Sequence, residues 1–232
     1  MLVFAHRGDS SNFPENTLAA FNSAIQKGAD GIELDVFTVE NQLVVIHDQQ
    51  VNRTTNGTGC IEEYSLTELA KLDAGQGESI PLLTDVIPLV PPDTLLNVEL
   101  KGHNTLSPLL ALIASGLLSQ HIANKTLLIS SFHHHLLKQF NAIHPDINTG
   151  ALTASIPLDY AAFATQLNSH SLHVDRAFVD QPFIDDAHRR GLKVFVYTVD
   201  QPEEIKHLKH MGADGIFAND PLQALQVIAS LS

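Results

Sequence analysis

Four short stretches of the chain carry residues able to do chemistry: His6 and Arg7 closing "LVFAHR", Glu33 and Asp35 within "GIELDVF", His47 closing "LVVIH", and Asn97, Glu99 and Lys101 within "LLNVELK". Alternate side chains of an extended segment share a face. Glu33 and Asp35 therefore stand opposite Ile32, Leu34 and Val36, and Asn97, Glu99 and Lys101 stand opposite Val98 and Leu100. If the apolar sets meet a helix layer, three carboxylates converge on the other side of the sheet. There they repel one another, and a buried ion without a partner is costly. One lysine cannot neutralise all three. Two arrangements can: a hard divalent cation, which takes oxygen ligands, or a structural network in which Glu33, Asp35 and Glu99 pair with Arg7, Lys101 and other polar groups. His6 and His47 add two imidazoles, which titrate near neutrality and can serve as base and acid in one cycle. Asp48 either orients an imidazole or caps the following loop, and the cap or turn reading is preferred.

Such residues need elements to hold them in place. Nine apolar runs, starting at residues 2, 31, 43, 95, 126, 148, 171, 193 and 214, read as strands. Most are separated by segments of helical period, such as "PENTLAAFNSAIQKG", which opens at Pro14 and stops at Gly28, "SPLLALIASGLL", "FHHHLLKQFNAI", "LDYAAFATQL" and "QPEEIKHLKHMG". Strands alternating with helices imply a parallel sheet with helical crossovers. About eight such units in a chain of this length predict an α/β fold, a TIM (β/α)8 barrel with little spare loop. The alternative, an open doubly wound sheet, lacks its G-x-G-x-x-G turn after every strand. The one long interval, residues 49–92, reads as an elaborated connection after the second strand with one or two short helices. Barrel enzymes keep their chemistry at the carboxyl ends of the strands, and His6 and His47 each end an apolar run.

Composition narrows the partners. The 232 residues, 44% apolar and 17% charged, show no linker-like stretch, so one domain over 1–232 is expected. A net charge of −13, with 13 Lys and Arg scattered and no basic run, makes nucleic acid and anionic membrane surfaces poor partners. An acidic protein that acts on an anion needs local cations, from a metal or from a few placed basic side chains. Cys60 is alone, so no intrachain disulfide forms. Without a secretory-type leader or an apolar run of ~18 residues, the expected location is cytoplasmic, with no stable membrane insertion.

The stretches "HRG" at 6–8, "PENT" at 14–17, "ELD" at 33–35, "HD" at 47–48, "NRTTNGTG" at 52–59, "VELK" at 98–101, "YTVD" at 197–200 and "GADGIFANDP" at 212–221 together resemble the glycerophosphodiester phosphodiesterases, a TIM-barrel family, in the family's order over nearly the whole chain. The resemblance implies that Glu33, Asp35 and Glu99 hold a divalent cation, Mg²⁺ or Ca²⁺, with Mn²⁺ an alternative. It implies that His6 and His47 are the acid and base, and that Arg7 and Lys101 meet the phosphate. The implied substrate is a glycerophosphodiester, cleaved to sn-glycerol 3-phosphate and an alcohol. Tyr197 stands where the family most often has tryptophan, an aromatic wall against the glycerol. Asp200 replaces a usual asparagine, and "FAND" at 217–220 departs from a commoner "ITD". Both departures are expected to bear on substrate preference and loop packing and to leave the catalytic set untouched.

Three rival functions remain in view. A lysophospholipase D-like activity at the same site would favour an exposed apolar lip. A barrel that binds phosphate or metal without turnover would have no need of an acid–base pair. A metal-dependent amidohydrolase would carry a His-x-His pair on the first strand, which is missing. "HHH" at 133–135 reads as a polar helix entrance, because three adjacent helical residues diverge and cannot share one ion. Phe13, Phe132 and Phe183 read either as a rim at the barrel mouth or as core under loops. The oligomeric state is left open.

Overall fold

The computed structural model describes residues 1–231. Among these, nine strands form one sheet: β1 (Leu2–His6), β2 (Gly31–Val39), β3 (Gln42–Val45), β4 (Leu95–Leu100), β5 (Leu127–Ser131), β6 (Asn148–Thr153), β7 (Ser171–Asp175), β8 (Lys193–Tyr197) and β9 (Gly215–Ala218). Their order is β1-β9-β8-β7-β6-β5-β4-β2-β3, and β1 also pairs with β2. Eight parallel strands thus close on themselves as a TIM barrel, and β3 lies outside the ring as an antiparallel addition to β2.

That addition corrects one expectation. "LVVIH" reads as a barrel strand, but it returns along the far end of β2, with Val45 beside Val36. Glu40 and Asn41 make the tight turn, both at positive φ (48° and 61°). This is the two-residue hairpin geometry that Asn-Gly usually announces, and Glu-Asn announces it poorly. The long connection therefore follows the β2–β3 hairpin, and it contains the short helices α2 (Leu66–Leu69) and α3 (Leu83–Val86).

The crossovers carry α1 (Leu18–Gln26), α4 (Leu106–Ala114), α5 (Ser119–Ala123), α6 (His134–Ile143), α7 (Ala162–Gln166), α8 (Gln181–Arg189), α9 (Pro202–Met211) and α10 (Pro221–Ala229). α1 starts at Leu18 with Thr17 as its cap, later than Pro14 suggested. Asn16, at φ 59°, holds the preceding turn out of the helix. The apolar run from 107 to 118 is likewise broken near Gly116 (φ 84°) into α4 and α5.

The core has layers. Ile32, Leu34, Val36, Val98 and Leu100 face outward to the helices, as the alternation predicts, while Phe4, Leu128, Phe195 and Phe217 fill the barrel floor. A third cluster, including Phe37, Val44, Ile46, Val51 and Ile61, packs the hairpin against the long connection. No described helix is long and apolar enough to cross a membrane.

Candidate active site

Strand register brings the carboxylates together. Across β2 and β4, Glu33 pairs with Asn97 and Asp35 with Glu99, while His6 of β1 pairs with Glu33. One oxygen from each of Glu33, Asp35 and Glu99 lies within 4.8 Å of the others. Lys101 follows the end of β4. The Ile46 N–H donates to the Asp35 carbonyl at 3.0 Å, so the chain leaving β3 delivers His47 beside that strand. Arg7 sits at φ 59°, and its N–H donates to Glu33 Oε2 at 2.8 Å. Gly8 follows at φ 81°, where a Cβ would lie 2.7 Å from the carbonyl carbon of Ala20. α1 therefore packs directly on the turn that aims His6 and Arg7.

The two local cations do not balance the carboxylates. Arg7 Nε is 3.5 Å from Asp35 Oδ2, and Lys101 Nζ is 3.8 Å from Asp35 Oδ1. Lys101 Nζ also pairs with Glu99 Oε1 at 3.0 Å. Burial, then Asp35 and Glu99, holds the Glu33 carboxyl well above the usual carboxylate range. Burial, then Asp35, pushes Glu99 up to about 7. Burial opposes the charge of Lys101, yet Glu99 and Asp35 leave its ammonium raised. Asn97 Oδ1 is buried and accepts no hydrogen bond. Three buried carboxylates within 4.8 Å of one another, sharing two cations, suit a hard divalent cation better than they suit an ion-pair network.

Each histidine is gripped from behind. His6 Nδ1 is 2.8 Å from Asn219 Oδ1. His47 Nδ1 is 2.5 Å from Asp48 Oδ1, and its Nε2 is 3.2 Å from Lys101 Nζ. Asp48 thus faces the imidazole, contrary to the preference for a cap, because Arg53 Nε holds its other oxygen at 2.6 Å. That hydrogen bond first, and His47 as well, keeps Asp48 down to about 2. Burial and then Arg7 lower the His6 imidazole to about 4, and burial lowers that of His47.

A second tier was not singled out from the sequence. Glu15 accepts from Arg7 at 2.8 Å and from both Arg53 amino groups at 2.7 and 2.8 Å. Against the cost of burial, Arg53 and Arg7 hold Glu15 at about 2. Asn16 Nδ2 donates to Asp35 Oδ2 at 3.0 Å. "PENT" and "NRTT" are the signals that could have found these residues. The first reads as a helix start, but its middle residues serve the site.

A cavity of about 420 Å³ opens at the carboxyl ends of the strands, and His6, Arg7, Glu33, His47, Glu99, Lys101 and Tyr197 line it. Asp35 lies just beneath, 1% exposed. The Tyr197 hydroxyl donates to the Thr153 carbonyl at 2.9 Å, which fixes the ring at the wall. Phe132 lies at the cavity lip and Phe183 in the core, so the three phenylalanines do not act as one rim. The histidine triplet diverges as expected: His133 meets the His103 ring, whereas His134 Nε2 donates to the Leu152 carbonyl and its ring stacks on Phe163. Asp200, expected to bear on substrate preference and loop packing, lines the cavity and also binds Asn219 behind His6.

The family model for the glycerophosphoryl diester phosphodiesterase family matches residues 6–223. A glycerophosphodiester phosphodiesterase of Caldanaerobacter subterraneus subsp. tengcongensis is 37% identical, over 98% of this chain and 97% of its own. Among solved structures, an Oleispira antarctica phosphodiesterase in complex with the product sn-glycerol-3-phosphate superposes with a TM-score of 0.90 at 32% identity, over 99% of this chain and 97% of its own. A glycerophosphodiester phosphodiesterase of Thermotoga maritima superposes at 0.82 with 26% identity, over 98% of both chains.

Proposed function

The chain belongs to the glycerophosphoryl diester phosphodiesterase family, and from that premise we propose that it hydrolyses glycerophosphodiesters to sn-glycerol 3-phosphate and an alcohol, with divalent-cation dependence and a two-histidine acid–base mechanism. The observation that carries this reading is the convergence of Glu33, Asp35 and Glu99 with His6 and His47 around one cavity. Glu33, Asp35 and Glu99 would hold Mg²⁺, Ca²⁺ or Mn²⁺, whose positive charge offsets the negative charge that develops on the phosphoryl oxygens. Arg7 and Lys101 supply further positive charge and orient the phosphate. Tyr197 walls the glycerol.

His6 Nε2 takes the proton of the glycerol 2-hydroxyl as that oxygen bonds to phosphorus. The bond from phosphorus to the alcohol oxygen breaks, and His47 Nε2–H protonates the departing alcohol. Water then attacks the cyclic phosphate and gives its proton to His47. The bond to the 2-oxygen breaks, and His6 returns the proton to it. Burial keeps His6 neutral and ready to accept. The donor role requires His47 protonated on both nitrogens, a form that burial opposes and that the Asp48 carboxylate, accepting from Nδ1–H, supports. The test is release of glycerol 3-phosphate from glycerophosphocholine and glycerophosphoethanolamine. His6→Ala and His47→Ala are each expected to lower kcat about 100-fold or more in folded protein. Turnover within about threefold of wild type for both, under ~1 kcal/mol of barrier, overturns the mechanism.

One observation favours a second substrate class. Phe132, Ile156, Leu158 and Phe178 are exposed apolar residues on the loops that follow β5, β6 and β7, at the end of the barrel where the cavity opens. Such a lip would accommodate an acyl chain. Comparable turnover of lysophosphatidylcholine and glycerophosphocholine supports that activity, and cleavage of the deacylated diester alone removes it.

A further inference from the structure

We propose that Asp200 and Asn219 are positioning residues that fix His6 in the Nδ1–H tautomer, leaving its Nε2 lone pair bare towards the cavity. The inference rests on the reading of His6 as the first-step base. It arises from the hydrogen bonds behind that ring, which the carboxylates and the two-histidine mechanism do not use.

The chain of contacts has a direction. Asp200 presents two carboxylate oxygens to one residue: Oδ1 accepts from the Asn219 backbone N–H and Oδ2 from Asn219 Nδ2, both at 2.7 Å. An ionised carboxylate only accepts, so the amide nitrogen of Asn219 must face Asp200 and its oxygen must face away. That oxygen meets His6 Nδ1 at 2.8 Å, and Ser10 Oγ at 3.0 Å. An amide oxygen cannot donate, so the shared proton belongs to His6 Nδ1. A neutral imidazole carries one N–H, and its other nitrogen, Nε2, is then a free acceptor.

Asp200 follows β8 and Asn219 follows β9, so two strand ends hold a histidine on β1. His6 also sits against this wall through its backbone, with its carbonyl 2.8 Å from Ser10 Oγ. These residues belong to the two stretches in which the sequence departs from the family's commoner residues.

Substitution at Asp200 distinguishes orientation from bulk. In Asp200→Asn the new amide cannot accept with both of its polar atoms. The Asn219 side chain turns over to accept from it, presenting Nδ2 to His6 and forcing the Nε2–H tautomer. In the double variant Asp200→Asn/Asn219→Asp, a carboxylate at 219 accepts from both sides and the Nδ1–H form returns.

The experiment is ¹⁵N NMR of the imidazoles in histidine-labelled protein at neutral pH, with His6 signals assigned against His6→Gln, alongside kcat and KM on glycerophosphocholine. Wild type is expected as Nδ1–H. Asp200→Asn is expected as Nε2–H, with kcat lowered about 100-fold and KM within about threefold. The double variant is expected to regain Nδ1–H and at least about tenfold of the lost kcat. An Nε2–H His6 in wild type overturns the proposal without any variant, and so decides the matter even if Asp200→Asn does not fold. Retention of Nδ1–H or of kcat within about threefold in Asp200→Asn also overturns it, as does a double variant no better than the single. Wild-type protein that shows Nδ1–H but cleaves no glycerophosphodiester supports the positioning and removes the functional reading instead.

Discussion

The carboxylates at the cavity floor make the protein's stability depend on pH and on cation. Glu99 is pushed up to about 7, and Glu33 is raised as well. Without a cation the folded state therefore keeps protons that the unfolded chain releases above about 4.5. At these two carboxyls the folded state binds more protons across that window, so their contribution to metal-free stability falls as pH rises from about 4.5 through 7. His6 and His173, lowered by burial to about 4 and about 3, act in the opposite sense up to about 6.5. Thermal unfolding of chelated protein should show wild type losing midpoint relative to Glu99→Gln between pH 5 and pH 8, the histidine contributions being common to both, and Ca²⁺ or Mg²⁺ should restore the wild-type midpoint at pH 8. Glu99→Gln should raise the metal-free midpoint at pH 8 while weakening the response to cation. A wild-type midpoint that keeps pace with that of Glu99→Gln from pH 5 to pH 8 and does not respond to cation would contradict the charge balance described here. At this scale the sequence is legible where residue type and parity suffice: Glu33, Asp35 and Glu99 share a face because extended backbone alternates. Glu15, Arg53 and Asn16 are not legible in that way, because they reach the site from loops whose course no periodicity records.

Loops and strand ends do most of the aiming. Gly8 adopts a left-handed φ with α1 against it, so Gly8→Ala should cost about 2 kcal/mol or more in chemical denaturation. It should lower turnover as well, since His6 and Arg7 lie on the same turn. Activity and stability both near wild type would show that α1 does not brace that turn. Arg53, 48% exposed at its side chain, lies on the long connection and ties Glu15 to Asp48. Exposed ion pairs add little to stability, so Arg53→Gln should cost under about 1 kcal/mol in denaturation. It frees the supports of both His47 and Arg7, so kcat should fall about tenfold or more. Equal losses in stability and activity would make Arg53 a structural clamp only. The helices of the second half were legible from their period and end signals, as with α9 between Gln201 and Gly212. β3 was not, because a short apolar run has no direction until its turn is known.

At the scale of the molecule, alternation of strand and helix made the barrel legible, and β1–β2 pairing is what turns that alternation into a site. Closure sets His6 against Glu33, residues 27 positions apart in sequence, and the β2–β4 register sets Asp35 against Glu99. The overall charge of −13 repels an anionic diester, so Arg7, Lys101 and a bound cation must supply the attraction locally. Chelator-stripped protein should therefore be given glycerophosphocholine with Mg²⁺, Ca²⁺ or Mn²⁺ returned one at a time, and release of glycerol 3-phosphate measured. Activity lost on stripping, restored by at least one of these ions, and not restored in Glu33→Gln or Glu99→Gln is the predicted result. Full turnover by stripped wild-type protein, or silence with every ion in protein that remains folded, would contradict the account.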